Sequence, residues 1–483
     1  MDSFEKQLKM ALDASDEGRL EETEELCRTL MQTDPKNAQV LFLVGMVLHK
    51  TRRDEESVRW LSQAAELQPT TAQILTGLGC AYFSLGDYTR AMESFARSIA
   101  LDPGQADTYY SMGNACHKAG EIEKAATLFR HAVELNPKDV ASWNNLGKSL
   151  RETHRIEESI AAFDGALRIQ PEYVQARYGR ALALLTAGRL EEGFREYEVR
   201  RLELAARACT QPAWKGEPIG GKTLFLHAEQ GFGDAIQAVR FVPQARQRAA
   251  RVILECRPEL KWLFAYSGCA DAVIAYGETI PPFDCYASLI SLPALLGATF
   301  ESIPRQTPYL SAPHGEDLPP APAGGMRVGL AWAGNPGHHE DAARSLCLEQ
   351  LTPILETPGA VFYSLQVPVP PGDEAGFRAF PNLVDAGARC RDFMDTATAL
   401  RQMDLVISVD TAVAHLAGAL ARPVWTFVPY AADWRWFLDR TDTIWYPTMR
   451  LFRQAHPGQW QPVIARVAAE LRQRLEPQPA PGG

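Results

Sequence analysis

The chain has 483 residues, enough for about three domains at roughly 150 residues each. Its 49 Lys plus Arg against 59 Asp plus Glu give a net charge of −10, so there is no global electrostatic case for gripping a nucleic-acid backbone or an anionic membrane surface. At 46% apolar and 22% charged it reads as a globular chain, too apolar for a disordered one.

From the N-terminus onward, internal repetition dominates. Pro35, Pro69, Pro103, Pro137 and Pro171 follow one another at steps of 34 residues, and Gly45, Gly79, Gly113 and Gly147 keep the same step. A second set, Gly18, Gly86, Gly120 and Gly188, sits at multiples of that period, while Leu61, Phe95, Phe129 and Phe163 share a phase. Between these landmarks the apolar spacing is helical, as in Leu75, Leu78, Gly79 and Tyr82 followed by Ala91, Phe95 and Ile99. Small residues let two helices approach, a glycine marks the turn, and proline punctuates the exit. This resembles the tetratricopeptide repeat, with four clear units from Ala38 to Tyr173 and degenerate ones at Phe4–Asn37 and Val174–Arg207. Such an array offers a groove for a protein partner, or simply braces the adjoining domain. Asn114, Asn144 and Asn145 recur in too few units to form an asparagine ladder and read as solvated helix surface.

Near Cys209 the pattern changes to strands alternating with helices, which predicts parallel sheets with covering helices. Strands are expected at Lys222–His227, Arg251–Glu255, Asp271–Ala275 and Asp284–Ala287. A proline-rich spacer, Ser311 to Gly325, carries Pro313, Pro319, Pro320 and Pro322 ahead of Gly324-Gly325. A second series starts at Arg327, Val361, Leu405 and Val424, and Gln459–Leu475 closes the fold as a helix. The natural ligand site of two open sheets is the cleft at their carboxyl ends.

Three places in this half carry candidate chemistry. Gly231-x-Gly233-Asp234 comes directly after a strand, but Ile236 replaces a third glycine, which weakens a dinucleotide reading. Asp234 is then either a general base at the cleft or a helix N-terminal partner. In Val409 to Gly418 a strand ends at Ser408 and a helix starts near Thr411. Backbone N–H groups at Thr411 and Ala412 are thus free for a diphosphate. His415 lies one turn on, either over the same ligand or packed in the core, and Asp410 either caps the helix or meets sugar hydroxyls. The loop after the strand VGLAW holds Asn335, His338, His339, Glu340, Asp341 and Arg344. Its spacing does not suit a metal site and reads as a solvated loop, with Arg344 the cation placed to grip a phosphate. Gln366, ending the strand VFYSLQ, lies beside a nucleotide or is a buried hydrogen-bonding glutamine.

The runs HAEQGFGDAIQAVRF, WAGNP with RSL after it, ISVDTAVAHLAGALARPVW and DWRWFLDRTDTIWYPTMRLFRQ together resemble the glycosyltransferase family 9, or heptosyltransferase-like, group, in the form that comes after tetratricopeptide repeats. The resemblance implies a GT-B fold of two Rossmann-like lobes, with Asp234 as base and the nucleotide-sugar held by the C-terminal lobe. On that reading, Arg344, Asn335, Gln366, Asp410, Thr411, Ala412 and His415 line the donor side. The domains expected are a repeat array at 1–207, an acceptor-side lobe at 208–312, a linker at 313–325, a donor-side lobe at 326–476 and a tail at 477–483.

The implied activity is an inverting, metal-independent transfer of sugar from a nucleotide-diphosphate sugar to an acceptor hydroxyl, with no cofactor beyond the donor substrate. A protein acceptor or partner would occupy the repeat groove. The alternatives are a protein-interaction scaffold with an inactive transferase-like domain, and a nucleotide-dependent epimerase or dehydrogenase. Nine cysteines without a Cys-x-x-Cys pair, a charged Met1–Met10 and no run of ~18 apolar residues point to a cytoplasmic protein without a membrane span.

Overall fold

A computed structural model describes residues 3–202, 209–321, 325–338 and 341–476. The chain divides into two compact units, Met1–Arg180 and Ala181–Gly483.

The first unit is built of antiparallel helix pairs such as Ala72–Ser84 with Tyr88–Leu101 and Ala106–Lys118 with Ile122–Leu135. The 34-residue landmarks have direct steric causes. A Cβ on Gly79, Gly113 or Gly147 would stand 2.6, 2.7 or 2.8 Å from the ring of Phe95, Phe129 or Phe163, and one on Gly45 would stand 2.5 Å from Leu61. The first helix of each pair therefore lies directly on the large side chain of the second, and these rings are fully buried. Some helix starts carry side-chain caps: Asn37 accepts from the N–H groups of Gln39 and Val40, and Asp139 from those of Ala141 and Ser142.

The second glycine set occupies the turn inside each pair. Gly18, Gly86 and Gly120 have φ of 75°, 80° and 83°. Positions 52 and 154 complete the same series, and there Arg52 and His154 hold the left-handed conformation at φ 62°. A side chain in that conformation costs about 1–2 kcal/mol, part of which glycine would return through chain entropy. Arg52→Gly is expected to raise the unfolding free energy by roughly 0.5–1 kcal/mol, and Gly86→Ala to lower it by a similar amount. Chemical denaturation midpoints of the two variants check this.

The second unit contains two all-parallel sheets. The first comprises β1 (Thr223–His227), β2 (Arg251–Cys256), β3 (Ala272–Ala275) and β4 (Cys285–Ser288), in the order β3-β2-β1-β4. The second comprises β5 (Met326–Ala331), β6 (Ala360–Ser364), β7 (Leu383–Asp385), β8 (Leu405–Val409), β9 (Val424–Val428) and β10 (Met449–Arg453), in the order β10-β9-β8-β5-β6-β7. Each sheet runs outward from its first strand on one side, then restarts on the other. This is the doubly wound order, and it opens a crevice beyond the strand ends between β1 and β4 and between β5 and β8. The strands read as nearly continuous apolar runs because both faces are covered; β8 and β9 are buried at every position.

Two of the expected boundaries carry tertiary contacts of their own. The repeat array is expected to reach 207; the two compact units part earlier, after Arg180, so the segment from Leu190 to Leu202 belongs to the second unit. Its Arg200, 3% exposed, is bonded to Glu229 beyond β1 and to Ser291 beyond β4, contacts that a buried guanidinium needs. The expected linker at 313–325 is not a free spacer over its described part: Leu318 is buried, its N–H donates to Gln402 Oε1 at 2.9 Å, and Tyr363 donates its hydroxyl proton to the Pro319 carbonyl. Pro322 and Gly324, like the tail at 477–483, lie outside the described residues.

Candidate functional site

The crevice of the six-stranded sheet opens between the loop after β5 and the loop after β8. Gln366, just beyond β6, accepts through one oxygen from the N–H groups of Trp332 (3.1 Å) and Ala333 (3.0 Å) and donates to the Pro368 carbonyl (3.1 Å). It is buried and its hydrogen bonds shape the β5 loop, as the reading of a buried hydrogen-bonding glutamine expects. Farther along, the Gly334 N–H donates to Ser345 Oγ at 2.8 Å, and Ser345 donates to Asp341 at 2.9 Å. Asp341 also accepts from Arg344 Nε at 3.2 Å, and Arg344 Nη1 donates to the Asp410 carbonyl at 2.9 Å. A side chain on Gly334 would collide with this arginine, 2.8 Å from the Cβ position. A Cβ there would have to displace the ends of Asp341 and Arg344, and the arginine sits where β8 ends.

Asn335 is used otherwise. It is exposed, and its side-chain oxygen accepts from the Gly337 N–H at 3.0 Å, so its contacts build the turn itself. His338 is exposed, whereas His339 and Glu340 lie outside the described residues. Among the described residues no three His, Cys, Asp or Glu side chains converge on a common metal position.

After β8 the chain passes Asp410 and Thr411 into the helix Ala412–Ala419. Thr411 is extended, with its hydroxyl 3.3 Å from Ser408 Oγ, and it and Ala412 are partly exposed at the helix start. The first N–H groups of a helix have no partner within it, so this end faces the crevice with donors and a positive dipole. Asp410 is buried beneath it. Burial, reinforced by repulsion from Asp433, pushes its carboxyl up to about 6 against the pull of Arg344 and Arg435.

His415 lies one turn on but is directed inward. Its Nδ1 is 2.9 Å from the Tyr446 hydroxyl, and its ring stacks on Trp436 at 5.2 Å. Its Nε2 stands 3.9 Å from Asp410. Burial and then the positive charges of Arg435, Arg240 and Arg344 hold it well below the usual imidazole range, so it is neutral. Of the two readings of this histidine, the geometry favours packing: Nδ1 and the ring face are engaged with Tyr446 and Trp436. Gly233 abuts it, since a Cβ there would lie 2.9 Å from His415 Cδ2. The glycine turn of the four-stranded sheet and the helix after β8 therefore meet face to face.

Asp234, in the helix Phe232–Ala238, is held at both oxygens. Oδ2 accepts from the Gly231 N–H at 2.9 Å, the expected N-terminal bond, and Oδ1 accepts from Arg435 Nη2. Arg435 is the residue that sequence reasoning missed. It is buried; its Nε donates to Gln237, its Nη1 to both oxygens of Asp433 at 3.0 Å, and its guanidinium lies 4.4 Å from the centre of the Trp434 ring. Arg240 was missed as well: it donates to the Trp445 carbonyl at 2.7 Å and to Tyr309 at 3.0 Å. The available signal was the density of charge among tryptophans in Asp433-Trp434-Arg435-Trp436, since charges embedded in aromatic text must be paired when buried.

Comparison with known proteins bears most directly on the repeats. A family model described as TPR repeat matches residues 79–120, and two described as Tetratricopeptide repeat match 106–139 and 144–205. The chain carries tetratricopeptide repeats. A curated relative, Protein FlbA of Caulobacter vibrioides (strain ATCC 19089 / CIP 103742 / CB 15), is 28% identical over 330 residues, 60% of this chain and 53% of that protein. The chain thus spans about half the length of that relative. Solved structures of similar proteins include MamA (20% identical, TM-score 0.32, covering 35% of this chain and 92% of MamA). YrrB, a TPR protein with an unusual peptide-binding site, is 18% identical with a TM-score of 0.34, covering 36% of this chain and 90% of that one. No helix among the described residues is long and apolar enough to cross a membrane.

The carboxyl of Asp410 gives a pH test. A folded-state value near 6, above the ~3.9 of an unfolded chain, means that the native state binds the extra proton between those values. The contribution of Asp410 is therefore fully present below about pH 4 and is lost as pH rises through 6, by up to about 1.4 kcal/mol per pH unit. Asp410→Asn removes this dependence, so the unfolding free energy of the variant minus that of the wild type is expected to fall as pH is lowered from 6 to 4. Urea titrations at a series of pH values measure that difference.

Proposed function

We propose that the second unit is an inverting glycosyltransferase of GT-B type, taking a sugar from a nucleotide-diphosphate donor, and that the tetratricopeptide repeats bind a protein partner or acceptor. One observation carries the reading. At the strand-order reversal of the six-stranded sheet, Arg344 and the start of the helix Ala412–Ala419 are drawn together, and the Gly233-Asp234 turn of the other sheet packs on that same helix. A diphosphate suits the first pair: a guanidinium able to bond two oxygens, beside N–H groups already aimed outward. Asp234, across the contact, suits the acceptor. Arg435 and the Gly231 N–H fix its direction, and a carboxylate oxygen that accepts one bond retains a lone pair for a hydroxyl proton.

In this reading the acceptor oxygen attacks the anomeric carbon as Asp234 takes its proton, and the nucleotide diphosphate departs from the opposite face. Charge building on the leaving phosphate is met by Arg344 and the helix N–H groups at Thr411 and Ala412, which accounts for catalysis with no metal ion invoked. The scaffold alternative retains the repeats as the functional surface and gives Asp234 and Arg435 a purely structural pairing.

A panel of UDP-, GDP-, ADP- and CMP-sugars, assayed for hydrolysis and for transfer, decides between them. Asp234→Asn is expected to lower kcat by about 10²–10⁴, the usual worth of a general base. Arg344→Ala is expected to raise the donor KM by at least about tenfold, since a charge-assisted phosphate contact is worth about 1.5–3 kcal/mol. Wild-type activity no greater than that of Asp234→Asn with every donor, or thermal stabilisation by NAD alone, overturns the transferase reading.

A further inference from the structure

The Asp234 turn is not self-supporting. Gln230, just before it, holds φ at 64°, the left-handed region that disfavours a side chain. A long polar residue stays there only if its surroundings impose it. The surroundings in question come from the segment Leu190–Leu202, which precedes β1 by some twenty residues and supplies no strand to either sheet. Gln230 Nε2 donates to the Tyr197 hydroxyl at 3.2 Å. Next to it, Glu229 accepts from Arg200 at 2.6 and 3.0 Å. Arg200 is itself immobilised by Glu198 (2.6 Å), by Ser291 (2.9 Å) and by the Tyr197 carbonyl (3.1 Å), with its guanidinium over the Tyr197 ring.

The same segment reaches the other side of the carboxylate. Phe194 meets Trp434 edge to face at 5.6 Å, and Trp434 is the ring on which Arg435 lies. Residues 194, 197 and 200 thus touch both devices that direct Asp234: the 229–231 turn, whose Gly231 N–H bonds Oδ2, and the Arg435 guanidinium, which bonds Oδ1.

We propose that Leu190–Leu202 is a positioning arm of the site, with Tyr197 and Arg200 as positioning residues that hold Glu229 and Gln230 so that Asp234 faces the crevice. Neither side chain touches substrate in this scheme; they act through the turn. The turn is held on one side by a hydrogen bond to Gln230 and on the other by a buried ion pair to Glu229, so loss of either frees the backbone that aims the carboxylate. The kinetic consequence rests on the reading of Asp234 as the base; the conformational consequence does not.

The test uses the full chain and the mild variant Tyr197→Phe, which deletes one hydroxyl and keeps the ring. Amide hydrogen exchange is read over residues 228–236 and, as the internal reference, over β5, β6 and β8. Exchange over 228–236 is expected to quicken about fivefold to tenfold in Tyr197→Phe, the worth of one net hydrogen bond, with the six-stranded sheet unchanged. In a Gln230→Gly background the left-handed conformation is free of strain, so Tyr197→Phe is expected to change exchange there by less than about twofold. With an active donor, kcat falls and the donor KM stays constant, because the donor side is untouched. Unaltered exchange over 228–236 in Tyr197→Phe, or equal quickening with and without Gln230→Gly, overturns the proposal even if the protein transfers sugar. If exchange responds as stated in a protein that turns over no nucleotide-sugar, the positioning arm stands and the transferase reading falls.

Discussion

The second unit depends on one buried cation. The guanidinium of Arg435, only 8% exposed at its side chain, is removed from water and must recover the lost hydration from protein groups. It does so with all three nitrogens: Asp234 and Gln237 lie on one helix beside the four-stranded sheet, Asp433 lies on its own turn, and Trp434 covers the face. Removing any partner would leave charge stranded in a low-dielectric interior, a loss of about 3–5 kcal/mol for a broken buried pair. The geometry of Asp234 is therefore tied to the stability of the region around it, and the carboxylate cannot swing away without stranding Arg435.

Around that cation the neighbouring groups are shifted in opposite directions. Burial and three nearby arginines push His415 well below the usual imidazole range; Asp410, equally buried but facing Asp433, is pushed up to about 6. The same burial acts with opposite sign because one group is charged when protonated and the other when not. Arg240 adds a second tie, joining the helix Phe232–Ala238 region to the carbonyls of Pro304 and Trp445 and to the ring of Tyr309.

Legibility in the sequence tracks the range of the interactions. Gly79 and Phe95 are 16 residues apart, so the close approach of one helix to the next is written as a period and can be counted. Strands β1, β2, β5, β8 and β9 are central, buried on both faces and spelled as apolar runs. Leu383–Asp385 and Met449–Arg453 went unread because they are the edge strands of their sheet: one is three residues long, and the other alternates Arg450 outward with buried Leu451. Arg344 was legible as a cation near a loop end. Gln366 and His415 were legible only as alternatives, since nothing in the text says which way a side chain turns.

What the sequence determined alone is thus whatever neighbours along the chain enforce on one another: the 34-residue helix pairs, the glycine turns within them, the alternation of central strands with helices, and the helix start after β8. What only the tertiary structure decided is the pairing of charges. Asp234 and Arg435 are 201 residues apart, and Arg344 and the Asp410 carbonyl 66, with no period or spacing to connect them. Such contacts arise when sheets and loops bury polar groups and each group must find a partner in the space that folding leaves. That requirement operates in three dimensions, so it leaves a composition in the sequence but no address.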